Sequence, residues 1–563
     1  MATVWVIVCY LGALLAFALG SKMFFRGTSN DYFVASRSIG PFMLLMSVFG
    51  TTMTAFALVG STGKAFERGV GTYGLMASSS GLIHAACFFL IGVKIWSIGK
   101  RHGFVTQIQF FRARFGSNGL GYLLFPIFVL LIIPYLLIGV IGAGKTLQPA
   151  TAGAFPELFK NDNPILNGGV PPWLSGLVIC GVVLAYIFAG GSRAAAWANT
   201  FQTLVFMIMG LVAFIFIYNV LNQAGNPTNV AARITEKGTV VQEYTFDKES
   251  RKLIKAEKPK VVGRLKYPEE AEKWAGKQPH LTRGEVEILH KAKHPKTKKL
   301  IDKDREVGVP WLMFLSYMFI PLSVGMFPHL FQHWLTAKSA KAFKLTLIAH
   351  PLCIMVVWVP CVLIGIWASG LLPWGMPPAA VLSNVLKTLI GNPVLTGMLT
   401  AGVLAAIMSS LDSQFLCLGT IFTNDVVLHN SKKDYTDKQI LFMARGFVVA
   451  VVALTYVLAL LLQNQNVFDL AIWCFSGFAA LTPLVLAALY WKRATAAGAY
   501  ASVIVVAVSW FIFFAMSGFG GEFTVLGGVM PVAICWMAGA FAMVAGSLVT
   551  RPPSEETVEK FFP

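Results

Sequence analysis

The chain is predicted to be an all-α polytopic membrane protein with about thirteen transmembrane helices. Three observations predict this. The 563 residues are 56% hydrophobic and only 13% charged, too apolar for a soluble globular protein. Apolar runs long enough to cross roughly 30 Å of hydrocarbon recur along the whole length. Finally, one such run, Leu404 to Leu416, carries Ser409, Ser410, Asp412, Ser413 and Gln414. A carboxylate in hydrocarbon costs roughly 2.5 kcal/mol or more, so these groups should face a partner, a cavity or an ion, and transport is the first functional expectation. The competing reading is that Ser409 and Ser413, four apart, bond back to their own helix carbonyls.

Taken in order, the run at 3–25 lacks a basic leader and a small-residue cleavage site and is followed by Lys22 and Arg26, so it reads as a retained helix rather than a signal peptide. Runs follow at 40–63, 72–97, 119–144, 172–190 and 195–221, then at 310–332, 342–369, 395–425, 439–463, 467–490, 495–516 and 526–549. Two of them are interrupted: Gly50 and Gly60 fall within one, and Pro321, Gly325 and Pro328 within the other. Breaks at corresponding places in two halves of a carrier point to unwound backbone whose carbonyls meet cations. The eight cysteines lie in apolar spans without metal spacing and read as packing residues.

The net charge is +19, but no aromatic-rich basic domain is present to bind nucleic acid. Orientation accounts for the excess. With the N-terminus outside the cell membrane, the loops holding Lys22, Arg26 and Arg37, then Lys94 to Arg114, Arg193, Lys338 to Lys344, Lys432 to Lys438, and Lys492 and Arg493 all become cytoplasmic, as does the C-terminal tail. Residues 222–308 form the one polar, Lys-rich block and are placed outside. Alternation in Thr239 to Lys255 around Asp247 to Ser250 predicts a hairpin there, and Glu269 to Trp274 and Glu285 to His290 read as helical. The block is a small folded module or, by its charge density, a disordered loop.

Several stretches, in order, now carry a resemblance: Asn30 to Arg37, Arg114-Phe115-Gly116, Gly190-Gly191 with Trp197 to Gln202, Pro328-His329, Ala405 to Gln414, and Tyr490 to Arg493 with Gly498-Ala499. The chain resembles the sodium:solute symporter family over nearly its whole length outside 222–308. The resemblance implies the inverted five-helix-repeat, leucine-transporter-type fold. It divides the chain into an extra first helix (1–25), a first repeat (26–221), the extracytoplasmic insert (222–308), a second repeat (309–490), and two C-terminal helices with a short cytoplasmic tail (491–563).

The resemblance also implies a sodium site: backbone carbonyls of Gly50 and Met53 in the first broken helix, the carbonyl of Ala406, and the hydroxyls of Ser409 and Ser410. Two departures matter. Asn199 stands where relatives often carry Asp, and Thr52 stands where proline carriers carry Asp. Asp412 and Ser413 lie where relatives with a second sodium site have hydroxyl ligands, so Asp412, Ser413 and Asn199 would form a second site, for a cation or a coupled proton. The alternative is that Asp412 pairs structurally with Asn199 or a cytoplasmic Lys. Tyr135 matches a cavity tyrosine of relatives; Thr52, Thr54, Tyr317, Ser323, Val324, Phe327, Trp473 and Ser476 are its neighbours by helix and depth. Val324 replaces an aromatic of proline carriers, which disfavours proline. Pro134-Tyr135 and Phe327 to Leu330 lean toward the pantothenate and monocarboxylate branch.

The expected function is therefore sodium-coupled import of a small organic anion, with the solute, Na+ and the lipid bilayer as partners and no obligate protein partner evident. The alternative is a solute-sensing receptor on the same scaffold; only Arg551 to Pro563 follow the last helix. A membrane enzyme is not expected, since no His/Asp/Glu cluster, nucleophile elbow or phosphate loop appears. The odd helix count disfavours a major-facilitator carrier.

Overall fold

In the computed structural model, residues 1–68, 72, 79–161, 166–223, 244–247, 252–255, 287–293, 300–306, 311–368, 378–463 and 465–562 are described. The apolar runs fold as helices whose starts are set by local chemistry. Proline occupies the first turn of helices beginning at Pro41, Pro328, Pro393 and Pro531, where its missing N–H costs nothing. Thr436 and Gln439 form a reciprocal capping box, and Asn392 accepts from the N–H groups of Val394 and Leu395.

In chain order the spans are α1 (Ala2–Gly20), α2 (Pro41–Thr52), α3 (Phe56–Phe66), α4 (Ser80–His102), α5 (Asn118–Ala150), α6 (Pro172–Val220), α7 (Trp311–Gly325), α8 (Pro328–Thr336) and α9 (Ala340–Ala368). They continue as α10 (Val381–Ile390), α11 (Pro393–Leu428), α12 (Asp437–Leu461), α13 (Val467–Tyr490), α14 (Ala496–Met516) and α15 (Pro531–Leu548). Among the described residues ten helices are long and apolar enough to cross a membrane, and the bent pairs α2–α3 and α7–α8 raise this to twelve.

α6 supplies two crossings rather than one. Its 49 residues would span about 74 Å as a straight helix, more than twice the hydrocarbon thickness. Gly191 breaks it with φ +52° and ψ −132°. Tyr186 and Asn199 lie about 20 Å apart on a straight helix, yet both reach the neighbouring residues Asp412 and Ser413. The chain turns back at Gly191, and counting α6 twice brings the described crossings from twelve to the expected thirteen.

α11 is the central helix. Every residue from Leu399 to Ile421 is buried, and α1, α2, α5, α6 and α12 pack around it; a helix apolar on all sides belongs in the middle of a bundle. The outer helices leave large apolar side chains such as Trp5, Leu454 and Phe511 exposed, as a lipid-facing surface requires.

Two stretches depart from the sequence reading. The last helix starts at Pro531 rather than 526, because Gly518, Gly520, Gly527 and Gly528 adopt positive φ in the preceding turns. Within 222–308 the expected hairpin is present, with Tyr244–Asp247 pairing antiparallel to Lys252–Lys255. Of the stretch Glu285 to His290, the described part is not helical: Glu287–Lys293 is a strand paired antiparallel with Leu300–Glu306. Seven cross-strand pairs override the helical propensity of its Glu and Lys residues. Glu269 to Trp274 lies outside the described residues.

Candidate functional site

Two broken helices open the centre of the bundle. α2 ends at Thr52, Met53 leaves helical geometry (φ −92°, ψ 89°), and Thr54 starts α3 by accepting the Phe56 N–H at 3.0 Å. The two pieces meet at 53°. α7 and α8 meet at 48°, with Phe327 extended and Pro328 in the first turn of α8. Each break leaves backbone groups that no helix satisfies.

Of the residues expected to bind sodium, Gly50, Ala406 and Ser409 meet beside the first break. Ser409 Oγ lies 2.8 Å from the Gly50 carbonyl and 3.0 Å from the Ala406 carbonyl, its one proton shared between them. Ser410 Oγ donates to Ile407 O, at 2.9 Å, in its own helix. Met53 is buried one residue beyond the end of α2, and its N–H is spent on Phe49 O at 3.0 Å. α2 approaches α6 so closely that a Cβ on Gly50 would stand 2.2 Å from Thr203 Oγ1. A hydroxyl that donates its proton to a carbonyl keeps its lone pairs for a cation, and neutral oxygen ligands suit a hard, weakly polarising ion.

One turn along α11, Asp412 is fully buried. Tyr186 Oη donates to one carboxylate oxygen at 2.9 Å and Ser413 Oγ to the other at 2.9 Å. With the Asn199 amide turned so that its nitrogen faces the carboxylate, the nitrogen donates to Asp412 at 3.1 to 3.2 Å and to Ser409 O at 3.0 Å, and its oxygen lies 3.1 Å from Ser413 Oγ, as an alternative acceptor for the one hydroxyl proton. His333 Nε2 lies 2.9 Å from Ser413 Oγ. Of the two structural partners expected for Asp412, Asn199 is present; among the described residues no Lys or Arg forms an ion pair with it. Tyr186 and His333 escaped the sequence reading. A polar side chain inside an apolar run was the available signal, but α6 and α8 give no hint of the partner they share. Neutral donors alone compensate a buried carboxylate incompletely, and a proton or a cation completes the balance.

A cavity of about 420 Å³ lies between the two breaks. It collects Thr52, Tyr135, Tyr317, Ser323, Val324 and Phe327 of the expected solute neighbours, and adds Ser80 and His84 from α4. Trp473 and Ser476 instead line a second cavity of about 460 Å³, which shares Tyr317 with the first. Thr54 lines neither of these cavities, being engaged in the start of α3. In the second cavity Lys64 of α3, buried in spite of its charge, pairs with Glu522 at 3.0 Å and Asp469 at 3.6 Å.

On the opposite side the basic loops are organised by buried ion pairs. Asp31 accepts from Arg193 Nη2 at 2.6 Å, from the Arg26 N–H at 3.0 Å and from Ser36 Oγ at 2.8 Å. Burial alone would raise its pKa, but Arg193, the Arg26 N–H and Ser36 outweigh it and hold the carboxyl below its ordinary value. Arg114 donates to the carbonyls of Ala488 and Trp491, and Arg112 to Asp425. The tail returns to this face, where Phe561 stacks near His102 and Phe110.

The fold and the site together define a multi-pass membrane carrier built on paired broken helices. The sodium:solute symporter family profile matches residues 32–155 and 169–506, and the chain belongs to that family. It is 24% identical to the high-affinity proline transporter PutP of Bacillus subtilis, over 95% of this chain and 96% of that protein. It is 24% identical to a sodium/proline symporter of Staphylococcus aureus, over 86% of this chain and 81% of that one. Among solved structures, a Na+-coupled sialic acid symporter in a substrate-bound outward-open state superposes with a TM-score of 0.69 at 16% identity, covering 99% of each chain. A nucleobase-cation-symport-1 family transporter in a closed conformation superposes at 0.53 and 13% identity, over 94% of this chain and 97% of its own. The inverted-repeat fold is therefore shared, and Na+ is the coupling ion of the family.

Proposed function

We propose that the protein imports a small carboxylate-bearing organic solute by sodium symport, with Gly50, Met53, Ala406, Ser409 and Ser410 holding the sodium ion. The observation that carries the reading is the Ser409 hydroxyl on the Gly50 carbonyl at 2.8 Å, across the break in α2. Two residues later, Thr52 lines the 420 Å³ cavity. A sodium ion drawing these oxygens together fixes the end of α2 and with it one wall of the solute cavity. Sodium and solute then stabilise each other's binding, and coupling of this kind is typically worth about 1–3 kcal/mol. Asp412, Ser413 and Asn199 form the second site, for a second cation or a proton.

The cavity is lined by no Lys or Arg among the described residues. A small anion would be held by hydrogen bonds and by the positive N-terminal end of α8, which starts beside Phe327. A monocarboxylate or pantothenate-like acid fits this best. The second reading is proline itself, favoured by the names of the proline-transporting relatives that align over most of the chain and opposed by Val324, an aliphatic wall where an aromatic would be needed. The N-terminus and the 222–308 block are assigned to the outside and the tail to the cytoplasm, in keeping with the basic face to which Phe561 returns. Uptake of labelled lactate, pyruvate, pantothenate and proline into proteoliposomes, with and without an inward sodium gradient, tests the proposal. Sodium-driven uptake of none of these acids would refute it.

A further inference from the structure

One corner of the solute cavity is built of histidine. His84 of α4 lines it beside Thr52 and Ser80, and His350 of α9 lies fully buried behind Thr52, its ring 5.3 Å from that of His84. Thr52 Oγ1 has a single proton and donates it to the Phe49 carbonyl at 2.8 Å. With that proton so placed, its 3.2 Å contact with His350 Nε2 is satisfied by the imidazole as donor. That fixes the tautomer of His350, and the edges of Phe49 and Phe88 pack on its ring at 5.4 and 4.8 Å. The remaining nitrogen, Nδ1, is buried without a partner, and so is Nδ1 of His84. Buried polar atoms left unpaired are costly, and a native protein that keeps two in one corner of a cavity has a use for them.

We propose that His84 recognises the carboxyl group of the solute by donating a ring N–H to it, with His350 and Thr52 as the positioning pair that fixes its orientation. This rests on the reading of the solute as a small organic acid. The placement also serves coupling. Thr52 joins the histidine corner to Gly50, so a carboxylate at His84 and a cation at Gly50 sit against the same helix end, where opposite charges attract. Ser323, Tyr135 and Tyr317 are left to contact the rest of the solute.

The test uses the full-length protein in proteoliposomes and compares each acid with its neutral amide: L-lactate against lactamide and L-proline against prolinamide, each amide as competitor of labelled acid uptake. In the wild type the acid should bind at least about 10-fold more tightly than its amide, since a hydrogen bond to a charged group is worth about that factor or more. His84→Ala should raise the half-saturation concentration of the acid by about 10- to 100-fold, leave that of the amide nearly unchanged, and leave sodium affinity at saturating acid within about twofold. His84→Gln, which keeps an N–H, should recover part of the acid preference, and Thr52→Val should lose part of it. A general packing defect would weaken acid and amide alike. An amide that competes as well as its acid in the wild type overturns the subsite without recourse to any variant, as does an unchanged acid-to-amide ratio in His84→Ala. Absence of sodium-driven uptake of every acid would overturn the functional reading and this subsite together.

Discussion

At the scale of single residues, Asp412 carries the most consequence. It is held by Tyr186, Ser413 and Asn199, all neutral. If a second cation or a proton completes its charge, Asp412→Asn keeps most of the hydrogen bonds but cannot offset a positive charge. Sodium uptake curves should then lose cooperativity, or uptake should lose its pH dependence; unchanged cooperativity, pH profile and charge per solute would make Asp412 structural. Asn199→Asp combined with Asp412→Ser moves the carboxylate across about 3 Å of the same cluster and should restore part of the coupling. The paired change Ser409→Ala with Ser410→Ala tests the other cation. Losing two of about five oxygen ligands should abolish sodium-driven uptake in a protein that still reaches the bilayer, because sodium cannot be dehydrated without replacements. Sodium dependence at wild-type affinity in that variant would refute the assignment. Asp412 and the two serines were legible in the sequence because polarity in an apolar run is conspicuous. Their partners were not: Tyr186 is 226 positions away and Gly50 is 359 positions away, and no local pattern encodes such contacts.

At the scale of elements, the break between α7 and α8 was legible from Pro321, Gly325 and Pro328, but the break between α2 and α3 falls at Met53 while Gly50 and Gly60, expected to interrupt that run, lie within helix; the turn inside α6 has a further cause. A Cβ at Gly191 would stand 2.4 Å from the Tyr32 carbonyl, and φ is +52°, so only glycine fits there. Just beyond it Arg193 reaches Asp31, so Asn30 to Arg37 and Gly190-Gly191, far apart in the sequence, are two halves of one joint. The same holds for Arg114 and Trp491. Because the pKa of Asp31 is lowered on folding, its pair contributes stability that is complete at neutral pH. The contribution is lost as the pH falls through that lowered value, below the ordinary 3.8. Asp31→Asn should cost roughly 3–5 kcal/mol at pH 7 by leaving Arg193 unpaired. The thermal-stability gap between variant and wild type in detergent should begin to narrow as the pH falls below the ordinary 3.8; a gap independent of pH would contradict this. On the other face, Lys64 ties α3 to the α14–α15 loop through Glu522 and to α13 through Asp469. Since α3 must move if the cavity is to open on this side, Lys64→Met should raise the escape rate of bound solute roughly 10-fold, a loss of a little over 1 kcal/mol for a partly exposed network. Dissociation of labelled solute measures this, and an unaltered rate would mean that the pair does not hold the cavity shut. Neither Glu522 nor Asp469 stood out in the sequence, since single acidic residues at span ends are ordinary.

At the scale of the whole molecule, the cation and solute sites draw on helices from both sides of the 222–308 block. It joins the end of α6 to the start of α7. It is polar, and its described residues form two hairpins and supply none of the lining of the solute cavity. Among the described residues the cation and solute sites are assembled from α2 to α9, α11 and α13. Replacing Asn222 to Gly308 by about 15 Gly/Ser residues leaves up to roughly 50 Å of reach, enough to rejoin two helix ends on one face of a bundle. Lengthening or shortening such a loop changes its closure entropy only logarithmically, by about 0.6 kcal/mol per doubling. Sodium-driven uptake per inserted molecule should therefore stay within about twofold of the full chain. The sodium half-saturation concentration should not shift, because Gly50 and Ser409 meet without the block. A deletion protein that inserts correctly, binds sodium and yet takes up no solute would place the block on the solute's entry path, and the small β-structure would then be a vestibule rather than a tether.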